Sequence, residues 1–258
     1  LIRSWKLPEH IKRAVTANSF NSKRFFKKSN DHSWVKICGV KNASDALAAI
    51  EFGADALGFN LYPGSKRYIN WHTEAAWIRA LPTEVARVAV VVNPTIAEAR
   101  ELLDMDLFDT LQLHGEESEE FCDALRTHNK PLIKAVRLTS VALLEQVRHY
   151  PVFGLLADGS REGEFGGTGV RFDWTLLNDE KFDKVLIVAG GLTSENVADA
   201  IRATRPHAVD VASGVENREG LKDRKKVEDF ILAVRRVRKP AAAPSNQSVE
   251  KPCQKRSK

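Results

Sequence analysis

The chain has 258 residues, with 39 Lys and Arg against 34 Asp and Glu, a formal charge of +5 and a sequence pI near 9.1. Its 43% hydrophobic and 28% charged residues exclude wholesale disorder, and the lack of any run of about 18 apolar residues excludes a membrane-spanning helix. Three cysteines, an odd number in so long a chain, exclude a disulfide framework and favour a reducing, cytoplasmic location.

The basic pI comes from the two ends. Residues 1–32 carry eight Lys/Arg (Arg3, Lys6, Lys12, Arg13, Lys23, Arg24, Lys27 and Lys28) against Glu9 and Asp31, together with Phe20, Phe25 and Phe26. This extension reads as a plastid or other organelle transit peptide, a mis-assigned start (Leu1 is first and Met105 is the sole methionine), or a disordered segment. It has no secretory-type apolar stretch. Residues 239–258 carry five basic residues against Glu250 and have little to bury, so a disordered basic tail is expected. The middle, 33–238, keeps 26 basic and 31 acidic residues, a net charge of −5. Nucleic acid is therefore not the expected partner; binding through the tails alone would fall steeply with salt.

From Trp34 onward, two kinds of segment alternate. Short β-rich apolar runs are expected at 34–37, 56–59, 87–92, 110–113, 132–136, 152–156, 185–188 and 208–211. Segments with helical period lie between and after them, at 43–52, 73–80, 96–103, 118–127, 141–148, 173–177, 194–203 and 225–237. Asn42, Thr73 and Thr193 are placed to cap three of these helices. Eight strand–helix units in about 200 residues predict parallel strands in a single (β/α)8 TIM barrel. The open doubly wound alternative needs a glycine-rich phosphate loop after an early strand. Here the first strand runs instead into Ile37-Cys38-Gly39-Val40, and glycine pairs come after the late strands.

In such a barrel, chemistry sits where strands end and the following loops begin. Those positions read Cys38-Gly39, Ser65-Lys66-Arg67-Tyr68, Gln112-Leu113-His114-Gly115, Asp158 followed by Gly166-Gly167-Thr168-Gly169 and Phe172-Asp173-Trp174, Ala189-Gly190-Gly191-Leu192, and Asp210 through Asp223. With Lys36-Ile37 before Cys38, these six motifs in order resemble the phosphoribosylanthranilate isomerases of tryptophan biosynthesis over about residues 35–237. The resemblance implies a cofactor-free, metal-free Amadori rearrangement of N-(5′-phosphoribosyl)anthranilate, carried out by one general acid and one general base. The substrate is a small phosphorylated molecule; the protein would be a monomer or a homodimer.

By the same resemblance Cys38 is the general base and Asp158 the general acid. On its own a free cysteine reads as a small buried hydrophobe and an Asp before Gly159 as a turn residue; the strand-end positions favour chemistry. Cys122 and Cys253 keep the plain reading. Arg67 matches a residue facing the anthranilate carboxylate, which a guanidinium can meet with two parallel hydrogen bonds. His114 either contacts substrate or supports the site from below, and Asp210 orients substrate or neighbouring loops. Gly167, Gly169, Gly190, Gly191, Ser213 and Gly214 let backbone N–H groups approach a phosphate. The sequence departs from the family pattern at Lys66, often Pro, at Ala212, commonly Ser, and near Glu219, where Pro is usual. Other phosphate-binding barrels fit less well: indoleglycerol-phosphate synthases work with Lys and Glu, and metal-dependent epimerases with His and Asp ligands.

Overall fold

The structure is a computed structural model that describes residues 32–159, 173–177 and 183–237. Eight parallel strands close on themselves: β1 (Trp34–Cys38), β2 (Ala56–Asn60), β3 (Ala86–Val91), β4 (Thr110–Leu113), β5 (Leu132–Arg137), β6 (Gly154–Asp158), β7 (Val185–Val188) and β8 (Ala208–Val211). Closure is made by β1 pairing with β8, with Lys36 opposite Asp210. The expected barrel is observed, and with no free strand edge its backbone groups are satisfied around the ring.

Helices cross between the strands as α1 (Ala43–Glu51), α2 (Trp71–Arg79), α3 (Ile96–Asp104), α4 (Glu119–Asp123), α5 (Val141–Val147) and α6 (Val197–Thr204), with α7 (Arg224–Arg236) after the last strand. Between β6 and β7 the described residues form only a 3₁₀ turn, Trp174–Leu177. Asn42 caps α1 as expected, accepting from the Asp45 N–H at 2.8 Å. Thr73 does not cap its helix. Asn70 supplies the cap three residues before it, accepting from the His72 N–H, so α2 starts at Trp71 and the Thr73 hydroxyl bonds back to the Asn70 carbonyl. Thr193 is not a cap either: its N–H donates to the Asn196 side chain, and α6 starts only at Val197.

Strand residues alternate between two cores. Val35, Ile37, Leu57, Phe59, Leu111, Leu113, Leu155 and Val209 pack outward beneath the helices. Facing the barrel axis, Ile133, Ala135, Leu156, Val185, Ile187, Ala189 and Ala208 fill one part, and Ala56, Ala86, Val88 and Val90 another. Polar residues share that inner face: Lys36, Thr110, Gln112, Asp158 and Asp210, all buried. A polar cluster inside an otherwise apolar barrel is costly unless paired, and its position under the strand ends marks the site. The two basic extensions, 1–32 and 239–258, lie outside the described residues except His32.

Candidate active site

One cleft opens at the C-terminal ends of the strands. Cys38, Arg67, His114, Asp158, Gly190, Gly191, Asp210, Ser213 and Gly214 all line it, so nine of the eleven expected residues come together. Gly167 and Gly169 lie outside the described residues. The cleft also takes in Asn60, Ser65, Val90 and Leu192.

Cys38 ends β1 with its side chain on the same face as Lys36. The Lys36 Nζ donates to Asp210 Oδ1 at 3.0 Å, both side chains being under a tenth exposed. Burial disfavours the Lys36 ammonium, but Asp210 and Cys38 together outweigh it and hold the lysine above its ordinary value. The Cys38 thiol is pushed above 9.0 by burial first and by Asp210 next, while Lys36 and Lys222 pull the other way. Gly58, paired with Cys38 across β1 and β2, leaves room for both groups: a Cβ there would stand 2.7 Å from the Cys38 Sγ and 3.0 Å from the Lys36 Nζ.

Arg67 is buried, and its fork is already occupied. Nε and Nη2 each donate to the Glu216 carboxylate at 2.8 Å. Glu216 lies in β9 (Glu216–Arg218), part of a small hairpin with β10 (Leu221–Lys222), and also accepts from the Lys222 Nζ at 2.9 Å. Burial alone would raise the Glu216 carboxyl, but Arg67 and Lys222 outweigh it and hold it below its ordinary value. Burial also drives the Lys222 ammonium down despite Glu216. The fork is thus committed to a protein carboxylate, which leaves Arg67 its end-on edge for a ligand. Lys36 is thus paired with Asp210, while Arg67 and Lys222 share Glu216.

Opposite Cys38, Asp158 is the last residue of β6, and its Oδ2 lies 3.3 Å from the His114 Nε2. The other ring nitrogen, Nδ1, meets the Gln112 Nε2 at 2.8 Å. The loop carrying His114 is tied from below. Glu117 accepts from the Asn93 and Gly115 N–H groups, and the Lys134 Nζ donates to Glu117 at 2.8 Å and to the Gly115 carbonyl at 2.7 Å. Residue-by-residue reading of the sequence passed over Glu117, Lys134, Glu216 and Lys222. Their signal, buried charges near strand ends, emerges only when burial is known.

Gly190 and Gly191 follow β7 with consecutive positive φ values of 82° and 59°, a left-handed pair that L side chains rarely adopt. The Asn196 side chain ties this turn to α6 by donating to the Gly191 carbonyl at 2.9 Å. After β8, Ser213–Val215 form a 3₁₀ turn, and a Cβ on Gly214 would run into the Leu192 carbonyl oxygen. Two adjacent strands therefore end in turns of bare backbone facing the cleft, the arrangement that suits an oxyanion.

The family model describing N-(5′-phosphoribosyl)anthranilate (PRA) isomerase matches residues 35–233. The N-(5′-phosphoribosyl)anthranilate isomerase of Pseudomonas paraeruginosa is 44% identical over 203 residues, spanning 78% of this chain and 94% of the relative. A crystal structure of phosphoribosyl anthranilate isomerase from Thermotoga maritima superposes with a TM-score of 0.72 at 38% identity, over 78% of this chain and 98% of that one. A further structure of such an isomerase, in complex with reduced 1-(o-carboxyphenylamino)-1-deoxyribulose 5-phosphate, gives 0.69 at 38% identity with the same coverage. The barrel, the cleft at its strand ends and these matches agree: the chain belongs to the N-(5′-phosphoribosyl)anthranilate isomerase family.

Proposed function

We propose that this cleft isomerises N-(5′-phosphoribosyl)anthranilate to 1-(2-carboxyphenylamino)-1-deoxyribulose 5-phosphate, a step of tryptophan biosynthesis, with Asp158 as acid and Cys38 as base. The observation that carries the reading is the meeting of Cys38, Asp158 and the Gly190-Gly191 and Ser213-Gly214 turns in one cleft of a family barrel. The Asp158 carboxyl gives its proton to the furanose ring oxygen. The C1′–O bond breaks as the anthranilate nitrogen lone pair forms the C1′=N bond of a Schiff base. The Cys38 thiolate then takes the C2′ proton, and the C2′–H electrons form the C1′=C2′ enolamine, which tautomerises to the ketone. Only protons change hands.

The substrate phosphate sits against the backbone N–H groups of Gly190, Gly191, Ser213 and Gly214, with Gly167 and Gly169 completing the cradle as the family resemblance implies. The anthranilate carboxylate meets the end-on edge of Arg67, whose plane Glu216 fixes. Asp210 acts from beneath, through Lys36, rather than on the substrate. The middle of the chain, with its net charge of −5, does not attract an anion at long range, so capture rests on these short-range contacts. The enzyme works in the cytoplasm, or in an organelle if residues 1–32 address it there, as a monomer or homodimer.

The test is turnover, followed by the fluorescence change as phosphoribosylanthranilate is consumed, in Cys38→Ser and Asp158→Asn. Each should lose about 10²–10⁴-fold in kcat with the fold intact. Near-wild-type turnover in either variant removes that residue from the mechanism.

A further inference from the structure

Gln112 lies in β4, fully buried on the inner face of the barrel and one residue short of the loop that bears His114. Its Nε2 meets the His114 Nδ1 at 2.8 Å, the His114 Nε2 meets Asp158 Oδ2 at 3.3 Å, and the Gln112 Oε1 is buried without a hydrogen-bond partner among the described residues. An amide nitrogen can only donate, so the nitrogen facing it must be the bare one. The ring proton then resides on Nε2 and points at Asp158.

We propose that Gln112 is a positioning residue that locks His114 in its Nε2–H tautomer, and that His114 in turn presents Asp158 for acid catalysis. The inference rests on Asp158 being the acid. One consequence follows from the hydrogen-bond geometry. Because Nε2–H occupies Oδ2, the acidic proton of Asp158 is carried by Oδ1, the oxygen left for the substrate. Among the described residues the amide's one side-chain hydrogen bond is to the ring it orients.

Two measurements test this. Nitrogen-15 NMR of the seven histidines, with His114 assigned from its loss in His114→Gln, reads the tautomer directly. A bare Nδ1 with protonated Nε2 at the assay pH is expected. An Nδ1–H tautomer, or an imidazolium, overturns the proposal whatever the activity. The second is a double-mutant cycle on kcat. Gln112→Leu should lower kcat about 10–100-fold, the usual cost of a lost orienting contact, with KM changed far less. His114→Gln keeps an amide N–H where Nε2–H was and has no tautomer to fix, so adding Gln112→Leu to it should cost less than twofold. Equal losses in both backgrounds would mean that Gln112 only packs, and would overturn the inference. Asp158→Asn separates the two levels of the argument. If that variant is inactive while Gln112→Leu turns over normally, Asp158 stands as the acid and the tautomer lock falls. If Asp158→Asn is itself active, the reading beneath the inference has failed, and the lock falls with it.

Discussion

Gly58→Ala tests whether the position of the Cys38 sulfur governs the rate. Gly58 contributes no side chain to the cleft, and its substitution adds one methyl group at a β2 position paired with Cys38. The new Cβ would stand 2.7 Å from the Cys38 Sγ, 3.0 Å from the Lys36 Nζ and 3.1 Å from the Cys38 Cα. Comfortable contact between heavy atoms needs about 3.5–4.0 Å, so the sulfur must move by roughly 1 Å. The backbone contact blocks a simple retreat of β2. Overpacking of this kind costs about 1–3 kcal/mol, which in a barrel of this size lowers Tm by about 2–12 °C. Misplacing a reacting atom by about 1 Å can cost about 10²-fold, and that loss is expected in kcat. The assay pairs substrate fluorescence with thermal unfolding. Gly154→Ala serves as the control: its Cβ would stand 3.2 Å from the Val185 carbonyl oxygen at the opposite end of the strands, crowding the barrel without touching the site. It should lose stability but keep kcat. A folded Gly58→Ala enzyme with undiminished kcat would refute the reasoning, since the sulfur would then tolerate displacement that a positioned base cannot.

The remaining predictions concern ionisation. Burial and Asp210 hold the Cys38 thiol above 9.0, so alkylation at Cys38, located by mass spectrometry, should be slow at pH 7 and climb until the pH passes that raised value. Asp210→Asn should speed alkylation at pH 8 and Lys36→Met should slow it; the opposite order would show that the pair does not govern the sulfur. Glu216 is held below its ordinary 4.5 by Arg67 and Lys222 despite its burial, so its contribution to stability is fully present above about pH 4.5 and is lost as pH falls through the lowered value. Glu216→Gln leaves Arg67 and Lys222 without their shared partner, a loss of about 3–5 kcal/mol at pH 7. Its Tm deficit should shrink in acid, and a deficit independent of pH would count against the pair.

The barrel was legible from the chain because strand and helix periods leave separate marks on a sequence, and eight alternations admit few folds. Boundaries were less legible. A hydroxyl at Thr73 and one at Thr193 both look like caps, yet Asn70 caps α2 and the Asn196 that precedes α6 makes no side-chain cap bond, because which polar side chain reaches the first free N–H groups depends on the approach of the preceding loop. The cleft residues could be named because strand ends are sequence positions. Their partners could not. Glu216 lies 149 residues from Arg67, and Asp210 lies 174 from Lys36, and only barrel closure brings each pair within 3 Å.

The charge sum behaves the same way. By itself the sequence determined where the charge lies along the chain, with a basic excess at both ends around an acidic middle, and which residues stand at the strand ends. Tertiary structure decided what those charges do. Inside the barrel Lys36, Arg67 and Lys222 are spent on Asp210 and Glu216, so the fork of Arg67 faces a protein carboxylate and the Gln112 amide faces a histidine ring. The reason is desolvation: a buried ion or amide must find a partner within the protein, and sequence order carries no information about which strand will lie opposite.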